Sequence, residues 1–143
     1  MSNAEIVLQV GVKVLLKNPE GKYLLLRRNP KKYPEVGAKW DIPGGRIDPG
    51  STLLENLKRE VKEETGLELH QIPKLVAAQD ILKVAGRHVV RLTYVGEIGG
   101  EVELDDESME HKWFTPSEIY QLSEKELDAF LKELLYKQVI KLE

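Results

Sequence analysis

Several kinds of residue and segment are missing from this sequence. It contains no cysteine, which excludes disulfide bonds, thiol catalysis and thiolate metal sites. No apolar run approaches the roughly 18 residues that span a bilayer, and no signal peptide is recognisable, so we expect a cytoplasmic protein that does not bind membranes. Histidine is scarce too. His70, His88 and His111 are widely spaced and form no zinc-binding pattern.

The charge balance is slightly acidic. The chain has 21 Lys and Arg against 24 Asp and Glu, a net charge of −3, which argues against a protein that wraps a nucleic acid polymer. Its 143 residues suit a single domain spanning residues 1–143. We therefore expect a small-molecule partner, and a monomer or homodimer.

Strand and helix patterns are mixed along the chain. The predicted strands cover residues 6–16, 23–28, 40–42, 74–84, 88–98 and 112–114. The first two of these are expected to form a hairpin. One helix is predicted from a Ser51 or Thr52 cap to Gly66, a second begins at Pro116, and a capping box at Ser123 is expected to start the last. This order predicts an α/β fold, an α/β/α sandwich with a mixed β-sheet between helices.

The middle helix carries three closely spaced glutamates. Positions i, i+3 and i+4 of a helix share a face, so Glu60, Glu63 and Glu64 are neighbours. Like charges at this spacing destabilise a helix unless a positive charge offsets them. Divalent cations such as Mg²⁺ prefer carboxylate oxygens and commonly bridge to substrate phosphates. By itself, a glutamate-rich helix is more often only a solvated acidic face, so a metal-dependent enzyme acting on a phosphorylated substrate needs support from the surrounding sequence.

The segment from Gly45 to Leu67 resembles the Nudix box. That pattern is Gly, five residues, Glu, seven residues, Arg-Glu, an aliphatic residue, any residue, Glu-Glu, any residue, Gly and an aliphatic residue. Here the matching positions are Gly45, Arg59, Glu60, Val61, Glu63, Glu64, Gly66 and Leu67. One position departs, because Ser51 stands where the family has its first Glu, the usual partner of the box arginine.

The resemblance implies a metal site and its ligands. The implied metal is Mg²⁺ or Mn²⁺, bound by the carbonyl group of Gly44 and by Glu60, Glu63 and Glu64. Arg59 is implied to orient the carboxylates, although Ser51 cannot form the family's ion pair with it.

The general base is implied to be a glutamate on a loop outside the box. Glu107 precedes Trp113 by six residues and is preferred over Glu110, with Glu60 as a competing candidate. Substrate contacts are expected from Gly45 and from the basic pair Arg27 and Arg28. Adjacent strand residues point to opposite faces, so at most one arginine of that pair should face the site.

The implied reaction is hydrolysis of a diphosphate bond in a nucleoside diphosphate derivative. Because the chain is compact, we expect a (deoxy)nucleoside triphosphate that releases pyrophosphate. A nucleotide-sugar pyrophosphatase, acting on a substrate like ADP-ribose, remains an alternative. A Nudix-like module that senses a nucleotide without turnover is a third possibility, although all three box glutamates are present.

Overall fold

The long strand β1 (Val7–Lys17) organises the sheet. A computed structural model describes residues 5–32, 34 and 37–143. The sequence also predicts a basic, proline-containing loop over residues 29–39, and part of this loop lies outside the described ranges. Around β1, the remaining strands are β2 (Tyr23–Arg28), β3 (Trp40–Asp41), β4 (Gly44–Arg46), β5 (Lys74–Ile81), β6 (Arg87–Glu97) and β7 (Ser108–Phe114). The helices are α1 (Leu53–Thr65), α2 (Pro116–Tyr120) and α3 (Ala129–Tyr136).

The sheet is mixed. Its main order is β3-β2-β1-β6-β5, with β4 added to β1 and β7 added to β2. Strands β1 and β6 are parallel over their whole lengths, whereas the other pairs are antiparallel. The predicted hairpin of β1 and β2 is present, with Lys17 opposite Tyr23.

Apolar side chains of β1 alternate between two cores, one on each face of the sheet. Val12, Val14 and Leu16 pack with Leu57 and Val61 of α1. On the opposite face, a second core combines the sheet with α2 and α3 through Leu15, Leu25, Ile119, Leu131 and Leu134. Helices therefore cover both faces of a mixed sheet, which confirms the predicted α/β fold. No helix in the described ranges is long and apolar enough to cross a membrane.

The ends of α1 match the sequence prediction. Thr52 is the N-cap, and it forms a complete capping box with Glu55. Gly66 ends the helix in the left-handed region with φ of 74°. The helix that carries the three glutamates is thus fixed at both ends by local sequence.

The start of the last helix was predicted wrongly. Ser123 and Glu126 do form a turn, but α3 begins at Ala129 and is capped by Asp128, whose carboxylate accepts the Leu131 N–H at 2.9 Å. The reason is tertiary, since Trp40 bonds through its backbone to both Glu126 and Asp128. This pairing makes a parallel β-bridge between Trp40 and Leu127 and delays the helix until after Asp128.

Two short segments also differ from the prediction. Strand β7 begins at Ser108 and is longer than expected, so Glu110 lies within a strand while Glu107 precedes it. No strand was predicted at residues 44–46, but Gly44 and Gly45 belong to β4 and pair with β1. A Cβ on Gly44 would lie 2.0 Å from the carbonyl oxygen of Val12, so only glycine fits this close pairing.

Candidate active site

The face of α1 that meets the sheet has an apolar row and a polar row. Leu57 and Val61 form the apolar row in the core. Asn56, Glu60 and Glu64 form the polar row, each four residues from the next, and this row faces β4. The box therefore brings two of its glutamates to the Gly-Gly strand, whereas Glu63 lies exposed beside them.

Glu64 is the most buried of the three glutamates. Its residue exposure is 0%, and its carboxylate accepts the Gly44 N–H at 2.7 Å and pairs with Arg28 at 3.3 Å. Burial raises the pKa of Glu64 to about 7, even though Lys13 and Arg28 act in the opposite direction. A bound cation would stabilise the ionised form of this buried carboxylate more than that of an exposed carboxylate.

Glu60 lies directly against Gly45. A Cβ on residue 45 would be 2.7 Å from the carboxyl carbon of Glu60, so the glycine leaves the space that this carboxylate occupies. Burial raises the pKa of Glu60, an effect that nearby Arg59 partly offsets and that Glu63 and Glu107 reinforce. Glu60 and Glu107 are thus close enough to influence each other's charge.

The donor groups here suit a hard divalent cation. Gly44 reaches Glu64 through its N–H, and its carbonyl group is the further oxygen ligand that the resemblance implies. Glu60, Glu64 and this carbonyl would supply oxygen ligands. Within the described ranges, no group of three or more acidic or histidine side chains is arranged to hold a metal ion by itself. Mg²⁺ commonly binds through one or two carboxylates, with water and substrate phosphates completing its shell.

Arg59 forms ion pairs and a hydrogen bond with residues other than Ser51. Its guanidinium contacts Asp48 at 3.1 Å, Asn56 at 2.8 Å and Glu60 at 3.4 Å. Ser51 is exposed and uses its backbone N–H to reach the carbonyl oxygen of Asp48 at 3.2 Å. The ion pair that was expected to be missing is therefore made by a different acid of the same loop.

A cavity of about 600 Å³ opens beside these glutamates. Its lining includes Gly44, Gly45, Glu60 and Glu107, together with residues from β1, β5, β6 and the start of α3. Glu107 is anchored through its backbone, because its carbonyl oxygen accepts the Asn29 N–H at 3.0 Å. The structure thus places Glu107 at the cavity.

The two arginines at the end of β2 separate as strand alternation predicts. Arg28 lines the cavity and contacts Glu64. Arg27 instead forms an ion pair with Glu110, donates to the Ala38 carbonyl at 3.2 Å and lies over the Trp40 ring. Arg27 and Glu110, both considered as site residues from sequence, are therefore occupied with each other outside the cavity lining.

A buried ionic network forms the floor of the cavity, and the sequence prediction missed most of it. Asp41 pairs with Lys13 at 3.2 Å, with Arg91 at 3.1 Å and more distantly with Arg28 at 3.9 Å. Arg91 also pairs with Asp128 at 3.1 Å. A lysine and an aspartate inside apolar strands were the available signal, because such charges are seldom buried without partners.

The same network controls the charge of its members. Burial by itself would raise the pKa of Asp41, but Arg91, Lys13 and Arg28 hold it well below its usual range. The pKa of Lys13 is lowered by burial and by the charge of Arg28. Asp41 is thus the central anion that keeps three cations in place beneath the site.

The rim of the cavity is basic. Lys39, Arg46 and Arg87 line it, and none of them forms an ion pair within the described part of the chain. Lys83 lies over the ring of Phe130, 5.4 Å from its centroid. The rim therefore offers positive charge that no acid within residues 5–32, 34 and 37–143 neutralises by direct contact.

Comparison with known proteins identifies the family of this chain. The family model described as "NUDIX domain" matches residues 7–138. The asymmetrical bis(5'-nucleosyl)-tetraphosphatase of Mus musculus is 32% identical over 100 residues, which are 66% of this chain and 68% of that protein. The ADP-ribose pyrophosphatase of Methanocaldococcus jannaschii is 34% identical over 100 residues, again 66% of this chain but only 55% of the relative.

Solved structures include a close match in fold. The crystal structure of the MutT protein from Methanosarcina mazei Go1 aligns with a TM-score of 0.80 and 26% identity, and the match covers 96% of each chain.

Proposed function

Since the chain belongs to the Nudix family, we propose that it is a single-domain, metal-dependent pyrophosphohydrolase of nucleotides. Its proposed substrate is a (deoxy)nucleoside triphosphate, which is converted to the nucleoside monophosphate and pyrophosphate. The observation that carries the proposal is one cavity in which box carboxylates and the Gly-Gly strand face a set of basic side chains.

The charge of the rim supports a triphosphate. Four basic residues line the outer cavity, namely Lys39, Arg46, Lys83 and Arg87. Unneutralised cations in a cleft attract and orient anionic substrates, and the effect grows with the charge of the substrate. A triphosphate carries more negative charge than the diphosphate of a nucleotide sugar. The cavity volume of about 600 Å³ is also in the range of small-ligand sites.

The residues have separate proposed roles. Glu60, Glu64 and the Gly44 carbonyl would hold the cation, with Glu63 available at the solvent side. A divalent ion bound there would neutralise charge on the diphosphate oxygens and lower the pKa of the attacking water. Arg28 and the rim cations would hold the phosphates, and Gly45, which lines the same cavity, would lie against the substrate.

Glu107 is the proposed general base. It lines the cavity on the side of Glu60 and takes the proton as the oxygen of water bonds to phosphorus. The bond from that phosphorus to the bridging oxygen then breaks, and pyrophosphate leaves with the electron pair. Glu60, the competing candidate, is assigned to the cation because its carboxylate lies against the Gly-Gly strand.

A nucleotide-sugar substrate is the second candidate. The relative from Methanocaldococcus jannaschii is named as an ADP-ribose pyrophosphatase. Its sequence identity to this chain, 34%, is close to the 32% of the tetraphosphatase. The substrate is therefore decided by assay.

We expect triphosphates to give the highest kcat/KM in a substrate panel. The panel contains normal and oxidised nucleoside triphosphates, ADP-ribose, a UDP-sugar and diadenosine tetraphosphate, each with Mg²⁺, with Mn²⁺ and with chelator. Products are separated by chromatography, and phosphate and pyrophosphate are quantified. If the kcat/KM of a nucleotide sugar exceeds that of every triphosphate tenfold, the nucleotide sugar would replace the triphosphate as the proposed substrate. Metal binding without turnover on any member would favour a sensing module.

Glu107→Gln should lower kcat by roughly 100-fold or more, the usual contribution of a general base. The fold should be unaffected, because the residue's anchoring hydrogen bonds use its backbone. Glu110→Gln is the matched control, since it removes a carboxylate from the same segment that contacts Arg27 instead of the cavity. Equal losses in both variants would contradict the choice of Glu107.

A further inference from the structure

Asn56 is a buried polar residue on the helix that carries the box glutamates. Its residue exposure is 1%, and all of its amide contacts are with the loop before α1 or with α1 itself. The side-chain oxygen accepts the Asp48 N–H at 2.9 Å and the Arg59 guanidinium at 2.8 Å. The side-chain nitrogen donates to the Thr52 carbonyl at 2.6 Å. A buried amide that is hydrogen-bonded through both its oxygen and its nitrogen is a rigid junction.

Arg59 is held on two sides through this junction. Asn56 contacts its Nη2 atom, and the Asp48 carboxylate contacts its Nη1 atom at 3.1 Å. The remaining contact of Nη2, at 3.4 Å, is with the Oε1 atom of Glu60. Glu60 therefore contacts only the Nη2 atom of Arg59. It does not form the bidentate ion pair that arginine readily makes with carboxylates.

The geometry of Glu60 gives this restraint a consequence. Its carboxylate lies between Arg59 and the space above Gly45. An unrestrained guanidinium could turn to occupy both carboxylate oxygens and compete with a cation. A restrained guanidinium orients the carboxylate and leaves its other oxygen accessible.

We propose that Asn56, assisted by Asp48, is a positioning residue that fixes Arg59 and thereby keeps Glu60 available to a divalent cation. This inference rests on the proposed function, since it concerns the same metal site. It assigns to Asn56 and Asp48 the restraint that the box's acid would supply at residue 51, where this chain has serine. The two residues act through Arg59 and do not themselves touch the cation.

The decisive measurement is the affinity for Mn²⁺ in the absence of substrate, determined by electron paramagnetic resonance of the free ion. Asn56→Ala should weaken Mn²⁺ binding by about tenfold or more, as is typical when a residue that orients a metal ligand is removed. It should lower kcat by a similar factor while KM for the nucleotide changes less than about threefold. Asn56→Asp keeps an acceptor oxygen for Arg59 but cannot donate to the Thr52 carbonyl, so it should recover only part of the affinity.

Asn18→Ala is the matched control for simple loss of stability. Asn18 also accepts two backbone N–H groups through its side-chain oxygen, those of Glu20 and Lys22, but it lies in the turn after β1. This variant should lower the melting temperature without altering the Mn²⁺ affinity. If Asn56→Ala lowers only the melting temperature, the positioning role is overturned.

A second variant keeps the test informative if Asn56→Ala does not fold. The Asp48 side chain is 69% exposed, so Asp48→Ala should fold normally and still free one side of Arg59. We expect its Mn²⁺ affinity to fall about threefold or more. An unchanged affinity would overturn the proposal. Because these titrations need no substrate, a failure of the proposed reaction would be seen separately, in the turnover assays.

Discussion

Replacing Glu64 by glutamine should abolish most turnover while preserving the fold. We expect kcat to fall by roughly two or more orders of magnitude, in line with the loss of a preorganised electrostatic group. The fold should survive because burial already raises the pKa of this carboxyl to about 7, so that its neutral form is well populated near neutral pH without a cation. The amide of the substituted side chain would still offer an oxygen to the Gly44 N–H.

The measurement combines steady-state kinetics with Mn²⁺ titration and thermal unfolding. Glu68→Gln is the control, because Glu68 is an exposed carboxylate shortly after the box whose partner is Lys62. It should leave kcat and Mn²⁺ affinity unchanged. Near-normal turnover in Glu64→Gln would refute the ligand role of that residue.

Asp41→Asn should cause the largest loss of stability of any single charge removal considered for this protein. The change leaves Lys13, Arg28 and Arg91 buried with one fewer anion among them. Removing one partner of a buried ion pair typically costs about 3–5 kcal/mol in the free energy of unfolding. For a chain of this size that corresponds to a melting temperature lower by about 10 °C or more.

The pH dependence gives this prediction a clear sign. The pKa of Asp41 is lower in the folded protein than in the unfolded chain, so its ionised form stabilises the fold. This contribution is complete above the unfolded pKa, about 4, and is lost as the pH falls through the folded value. The difference in unfolding free energy between wild type and Asp41→Asn should therefore be constant near pH 7 and shrink below about pH 4.

Denaturant unfolding at several pH values measures this difference directly. Glu133→Gln is the control, because it breaks the exposed helical pair with Lys137 and should change stability very little. If Asp41→Asn lowers the free energy of unfolding no more than this control does, the prediction is wrong. The buried cations would then be stabilised by groups other than Asp41.

Much of the fold could be predicted because its signals are local. The β1 alternation, the Thr52 and Gly66 caps and the α1 stripe depend on residues only a few positions apart. The start of α3 could not be predicted, since a backbone bridge between Leu127 and Trp40, which is distant in sequence, delays the helix until after Asp128. Local capping rules predicted a start at Ser123, but the tertiary contact with Trp40 determined where the helix begins.

The candidate site divides in the same way. Periodicity and the box pattern placed Glu60, Glu63 and Glu64 on one helix, and the box positions identified the family. Arg27 and Arg28 could be separated by strand alternation, but which of the two faces the cavity required the structure. These assignments needed only helix and strand geometry over short distances.

By itself, the sequence determined the family, the α/β fold and the helix that presents the three glutamates, because these depend on regular spacing along the chain. Only the tertiary structure decided that Asp48 and Asn56 hold Arg59 where Ser51 cannot, and that Asp41 gathers three cations beneath the cavity. The physical reason is that ion pairs and buried hydrogen bonds depend on distance in space. Residues of Asp41's network come from β1, β2, β3, β6 and the cap of α3, and folding alone brings them together.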